Sequence, residues 1–286
     1  MNMTVKLAIG TALALTSAGA FAQTVPTPPY TTVNTGPNGS LMLTLFSTND
    51  ATPFSYSFNT GLNFNDVNVA GMNTPGLTLT WSLTNLATDL GTSAGVAALA
   101  NGLVFDVSAA SAGALATAGG LKILTTADPT SVTLANVAAT TAGILQSSVA
   151  QNTTFLTALG GAGMTGATPV NGYYTSTTID PTYANANYNQ TYNNLGFTAA
   201  GSTSSALPFY LMTNAARSTT TTPIVAPTVD AGTWTINLTA DTLTYSVGGS
   251  SVPLPASLWL LMSGVAGVLV LGRRRKDEMG FGAFTA

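Results

Sequence analysis

The chain has 286 residues but no cysteine and no histidine. Without thiols there can be no disulfide framework, no thiolate metal site and no cysteine nucleophile. Without imidazole, the chain lacks the usual general base near neutral pH, the commonest transition-metal ligand and every Ser/His catalytic pairing. Charge is scarce as well, at 6% of residues. Lys6 and the run Arg273, Arg274, Arg275, Lys276 lie near the ends, so Lys122 and Arg217 are the only bases between them. Against these two stand Asp50, Asp66, Asp89, Asp106, Asp128, Asp180, Asp230 and Asp241, with no glutamate, which leaves the body at a formal −6. A surface of that sign does not neutralise phosphates, so nucleic acid is excluded as a partner. Solubility has to come from hydroxyls and amides.

The aspartates are dispersed singly and lack the Asp-x-Asp-x-Asp-Gly spacing of a calcium loop, so no metal site is expected. Asp128 before Pro129 and Asp180 before Pro181 suit turn initiation, and Asp241 suits a hairpin bend. Two aspartates could flank a glycosidic bond, but no local signature marks such a pair. Gly160, Gly161, Gly163 and Gly166 are followed by no lysine and do not make a phosphate loop. The expectation is a protein with no catalytic residues and no cofactor.

Both ends carry apolar runs. Lys6 precedes the run Leu7 to Ala20, and Ala20, Phe21 and Ala22 form a small-x-small triplet before Gln23. That order is a secretory signal peptide over 1–22, cut after Ala22 by signal peptidase once the translocon has engaged it. Near the other end, Leu254 to Leu271 is interrupted only by Ser257, Ser263, Gly264 and Gly267, and the four cations 273–276 follow at once. At ~1.5 Å rise per residue this run spans about 27 Å, close to the ~30 Å hydrocarbon core of a bilayer. The positive-inside rule keeps the cations cytoplasmic and puts the body on the exported side, in agreement with the signal peptide.

The segment Val252, Pro253, Leu254, Pro255, Ala256, Ser257, Leu258, Trp259, followed by the span and the arginine cluster, resembles the PEP-CTERM sorting signal in its VPLPA variant. Leu254 stands where the parent motif has glutamate, and ten residues, 277–286, follow the basic cluster where family tails normally stop. The resemblance is confined to 251–276. It implies a transient inner-membrane anchor and cutting near the motif by an exosortase. It further implies delivery to the surface or matrix of a Gram-negative bacterium that exports polysaccharide and forms biofilm. The physical reading agrees, because Pro253 and Pro255 supply no amide donors and hold the segment extended, as a protease requires.

The body, 23–250, opens with a Pro/Thr/Gly/Asn-rich stretch, Val25 to Ser40, that reads as an extended leader, with order beginning near Leu41. Leu41, Leu43 and Leu45, then Phe54, Tyr56 and Phe58, then Leu77, Leu79, Trp81 and Leu83 alternate with polar residues, the period of half-buried strands. Trp234, Ile236 and Leu238, a polar bend, and Leu243, Tyr245 and Val247 predict a β-hairpin. The expected fold is mainly β, an antiparallel sandwich in which the N-terminal strands pair with this hairpin. Between them, Leu134, Ala138, Ala142, Leu145, Val149, Leu156 and Leu159 recur at helical spacing, bounded by Pro129 and by Gly160 and Gly161. A helical insertion and two or three short strands, such as 131–137, both remain open there, because Thr and Val are poor helix formers and Gly143 lies inside. No repeat of fixed period emerges.

The segment 171–194 sets Tyr173, Tyr174, Tyr183, Tyr188 and Tyr192 among amides and hydroxyls, a composition suited to stacking on sugar rings and bonding their hydroxyls. The alternative is a loop whose tyrosines bury their rings against the sheet and leave their hydroxyls wet. Ser218 to Thr222, beside Pro223 and Pro227, has the composition of a glycosylated surface stretch. The functional expectation is an exported structural or adhesive protein of the extracellular matrix. Binding of exopolysaccharide through 171–194 is the alternative, and a polysaccharide-active enzyme ranks behind both.

Overall fold

The computed structural model describes residues 39–67, 70–131, 140–164, 172–182, 184, 200–225 and 228–248. The signal-peptide residues Ala20, Ala22 and Gln23, the sorting motif 252–255, the basic cluster 273–276 and the extension 277–286 lie outside them. So do Tyr183, Tyr188 and Tyr192.

The chain is mainly antiparallel β. In order come β1 (Ser40–Ser47), β2 (Ser55–Asn63), the single turn α1 (Phe64–Val67), β3 (Thr78–Ser82), α2 (Leu86–Leu90), α3 (Ser93–Asn101), β4 (Leu103–Ser111) and β5 (Lys122–Thr126). They are followed by α4 (Ala142–Leu159), β6 (Gly172–Thr175), β7 (Gly201–Ser202), β8 (Leu207–Thr213), β9 (Thr228–Asn237) and β10 (Thr242–Val247). The strands form one ten-stranded sheet ordered β3-β10-β9-β8-β5-β4-β1-β2-β6, with the short β7 paired to β4. β1 starts at Ser40, and the three N-terminal alternating segments and the C-terminal hairpin are strands, as expected. The C-terminal hairpin does pair with an N-terminal strand, through β10 and β3.

Among the described residues, two separate facing sheets do not form. The single sheet curls instead, so that its first strand approaches its penultimate one: the Trp81 indole donates to the Thr60 carbonyl at 2.9 Å, and the Tyr56 hydroxyl donates to the Thr84 carbonyl at 2.6 Å. The reason lies in the residues that face inward from nearly every strand. Leu41, Leu43, Leu45, Tyr56, Phe58, Leu79, Trp81, Phe105, Val107, Phe209, Trp234, Leu243 and Tyr245 belong to one buried cluster. A sheet with this much apolar area on one face lowers its free energy by wrapping that face around itself. Trp234 sits at the middle, stacked on Trp81 at 5.4 Å, edge-on to Phe209 at 5.7 Å and tilted against Tyr245 at 4.9 Å.

A second cluster forms on the outer face of the central strands, where Met42, Phe46, Ile123 and Met212 meet Leu145, Val149, Phe155, Leu156 and Leu159 of α4. The insertion is therefore helical over 142–159, and the residues of its N-terminal approach, 132–139, lie outside the described set. Its threonines are accommodated because hydroxyls turn back onto the preceding turn: Thr153, Thr154 and Thr157 donate to the carbonyls of Val149, Ala150 and Thr153. Gly143 is needed in the first turn, since a Cβ there would lie 2.6 Å from the Thr220 carbonyl oxygen. Among the described residues, no helix is long and apolar enough to cross a membrane.

Burial sets a pH limit on the fold. Burial first, then the carboxylates of Asp89 and Asp241, drives the Tyr56 hydroxyl far above the usual tyrosine range. Burial first, then Asp230, does the same to Tyr245. In the folded state both phenols keep protons that the unfolded chain releases above about pH 10. Their contribution to stability is therefore intact below about pH 10 and is lost as pH rises beyond it. Alkaline titration followed by tyrosinate absorbance and circular dichroism is expected to show these two tyrosines ionising together with unfolding. Ionisation of every tyrosine before any loss of β signal would contradict this.

Candidate functional site

Three surfaces hold the residues that chemistry singles out. The first is the sheet edge at β6. Tyr173 and Tyr174 are neighbours on a strand, so their rings leave opposite faces. Tyr174 packs with the inner cluster, 5.1 Å from the Phe54 ring, with its hydroxyl 3.3 Å from that of Thr92. Tyr173 packs on the other side, with its hydroxyl donating to Asp180 at 3.5 Å. The two rings cannot form one stacking platform for a sugar.

Asp180 organises the loop after β6. One carboxylate oxygen accepts from the Thr182 amide and hydroxyl at 2.8 and 2.5 Å, and the other from the Thr175 hydroxyl at 3.3 Å. Burial alone would raise this carboxyl, but the hydrogen bonds from Thr182, Thr175 and Tyr173 outweigh it and hold the group below the usual carboxylate range. Burial, then the Asp180 charge, raises the Tyr173 hydroxyl. This is the turn role expected of an aspartate before proline. Asp128 does the same work with the Thr130 amide and hydroxyl, both at 2.8 Å, and Asp241 occupies the β9–β10 bend at φ 50°. Among the described residues, no three carboxylates converge in a way that could hold a metal ion.

The second surface is a groove of about 490 Å³ at the start of α4, lined by Thr141, Ile144, Gln146, Ser147, Gln151 and Thr220. It exists because the threonine run fastens onto the helix. The amides of Ala142 and Gly143, which have no partner within a helix, donate to the carbonyls of Thr222 and Thr220 at 2.8 and 3.0 Å. The Thr141 hydroxyl caps the same turn by accepting from the Ile144 amide at 3.4 Å. Thr219 to Thr222 thus have a structural task, and the groove they border is uncharged, presenting hydroxyls and amides to solvent.

The third surface is the outer face of β9, β10 and β3, which sequence reasoning did not single out. The three strands share one pattern: Thr78-Leu-Thr-Trp-Ser82, Thr242-Leu-Thr-Tyr-Ser246 and Thr233-Trp-Thr-Ile-Asn237. Pairing brings the patterns into register without a bulge, so the rows run Ser82–Thr242–Asn237, Thr80–Thr244–Thr235 and Thr78–Ser246–Thr233. The alternate residues, Leu79, Trp81, Trp234, Ile236, Leu243 and Tyr245, all point into the core. What remains outside is a three-by-three array of hydroxyls and one amide with no charge and no aromatic ring. Thr78, Thr80, Ser82 and Asn237 are exposed, and the other five are half-buried. Among the described residues, α4 packs on β4, β5 and β8. The copies near residues 233 and 242 pair in the expected hairpin, whereas the copy near residue 78 lies far away in sequence, and only the sheet order sets it beside them.

No family model matches the chain, and neither does any curated protein or solved structure.

Proposed function

We propose that the protein is a noncatalytic component of the outer surface or extracellular matrix of a Gram-negative bacterium, exported by the secretory route and trimmed by an exosortase. The observation that carries this reading is the order of residues 252–276: Val-Pro-Leu-Pro, an apolar span of membrane length, then four cations. Residues 1–22 supply the matching export signal, 23–250 the exported body, 254–271 one transmembrane helix, and 277–286 a short cytoplasmic tail. A body without histidine or cysteine, whose outer faces offer hydroxyls and amides in place of charge, suits a structural or adhesive role within hydrated exopolysaccharide. Glycan binding through 171–194 is the second reading, favoured by the position of Tyr173 on the edge strand of the sheet.

The prolines provide the test. Pro253 and Pro255 keep the cutting site extended, and changing both to Ala removes that constraint and lets the membrane helix continue through the motif. The Pro253→Ala/Pro255→Ala variant is expected to accumulate uncut in the inner membrane, seen as a full-length band in fractionated cells. Trimming at the normal rate would contradict the proposal.

A further inference from the structure

We infer that the hydroxyl array on β9, β10 and β3 is a ligand-binding face and that its ligand is the surface of an ice crystal. The inference concerns the folded body and holds however the chain reaches the envelope. Three properties of the array select the ligand. The first is its spacing. Neighbouring strands lie about 4.8 Å apart and alternate residues of one strand about 6.8 Å apart, so the side chains repeat in two directions at intervals fixed by the backbone. These intervals fall in the range of oxygen repeats on the surface planes of ice.

The second is its chemistry. A threonine offers a hydroxyl that can bond a water oxygen and a methyl that borders it, and six of the nine positions are threonine with Thr80, Thr244 and Thr235 forming an unbroken central row. The hydroxyls of Thr80 and Thr244 share a 3.4 Å hydrogen bond across the strand pair, which uses one proton of the two and leaves the other proton and the remaining lone pairs for water. β-Branched side chains have few χ1 states, and the packed rings of Trp81, Trp234 and Tyr245 beneath them fix the backbone, so little rotamer freedom is lost by the threonines on contact.

The third is what the array lacks. A hydroxyl already solvated by water gains only about 1 kcal/mol from a new hydrogen bond, so a single flexible sugar chain would not repay the ordering it undergoes. A rigid solid meets all the positions at once and is already ordered. Crystalline polysaccharide is also rigid, but its sugar rings are gripped by stacking on aromatic faces. Here every aromatic ring of the three strands points inward. A twist of about 20–25° between neighbouring strands restricts the matched patch to the central row and its flanks. Thr244, in the middle strand, therefore dominates the contact.

The test uses full-length protein in lipid nanodiscs, with empty nanodiscs as background, and measures the fraction carried into a slowly growing ice hemisphere and the rate of ice recrystallisation. The intact protein is expected to enter the ice and to slow recrystallisation. Thr80→Lys, at the exposed edge, and Thr244→Lys are each expected to cut incorporation at least tenfold, whereas Thr154→Lys on the solvent side of α4 leaves it unchanged. Circular dichroism of each variant reports whether the sheet is intact, and the exposed Thr80 position keeps the test valid where Thr244→Lys unfolds. Exclusion of the intact protein from ice overturns the inference, as does full activity of folded Thr80→Lys. Co-sedimentation with crystalline cellulose or chitin, lost in the same two variants and without ice incorporation, overturns it in favour of a polysaccharide face.

Discussion

Trp234→Ala is expected to lower the unfolding free energy by about 3–5 kcal/mol, the range for removing a large aromatic side chain from a packed core. Trp234 is fully buried, touches Trp81, Phe209 and Tyr245, and lies on a strand paired to both β8 and β10. Its loss leaves a cavity in the middle of the inner cluster, and the surrounding rings belong to different strands that cannot close in together. Domains of this size are stable by only about 5–15 kcal/mol, so the variant should be near the threshold of unfolding at 37 °C. Urea titration of both proteins measures the difference. A loss below about 1 kcal/mol would mean that the aromatic cluster does not hold the curl. Exposed Leu99 of α3, 45% accessible, is the matched control and should cost little.

Deleting residues 252–276 should have the largest effect on location. On the proposed reading the span 254–271 holds the chain in a bilayer, its leucines and valines each favouring insertion by about 0.3–0.6 kcal/mol at a helix centre. The cations 273–276 resist being pulled through. Without both, the body has no hold on the membrane, and nearly all of it should appear as soluble protein in the periplasm or medium, while the intact chain is found in the envelope. Immunoblots of cell fractions decide this. Envelope retention of the deleted form at the level of the intact chain would show that the body itself, and not the tail, supplies the anchor.

Legibility in the sequence followed exposure. Strands with one wet face could be read: β3, β9 and β10 alternate cleanly because Thr, Ser or Asn faces solvent and Leu, Trp or Tyr faces the core. β4 could not, because it is buried on both sides. Its sequence, LVFDVSAAS, sets Asp106 in the interior directly across from Thr44, so polar and apolar positions no longer report which face is wet. The helix α4 was visible as a period but not as a certainty, since its threonines and Gly143 argue against helix until their backbone contacts are known. The curl had no local signal at all. It follows from the summed apolar area of strands distant in sequence, and the pairing of Thr80 with Thr244 likewise joins segments far apart in the chain. Of the tyrosines named as sugar contacts, Tyr173 and Tyr174 are anchored on opposite sides of one strand, which composition could not reveal.

The central claim is that the apolar, cation-capped tail is a temporary anchor removed at the Val252–Pro255 motif. Intact mass spectrometry of the protein recovered from the outer surface measures it most directly. The predicted mass corresponds to a chain that starts at Gln23 and ends near residue 255, without the span or the cations. Surface protein that still carries residues through Ala286 would contradict the account.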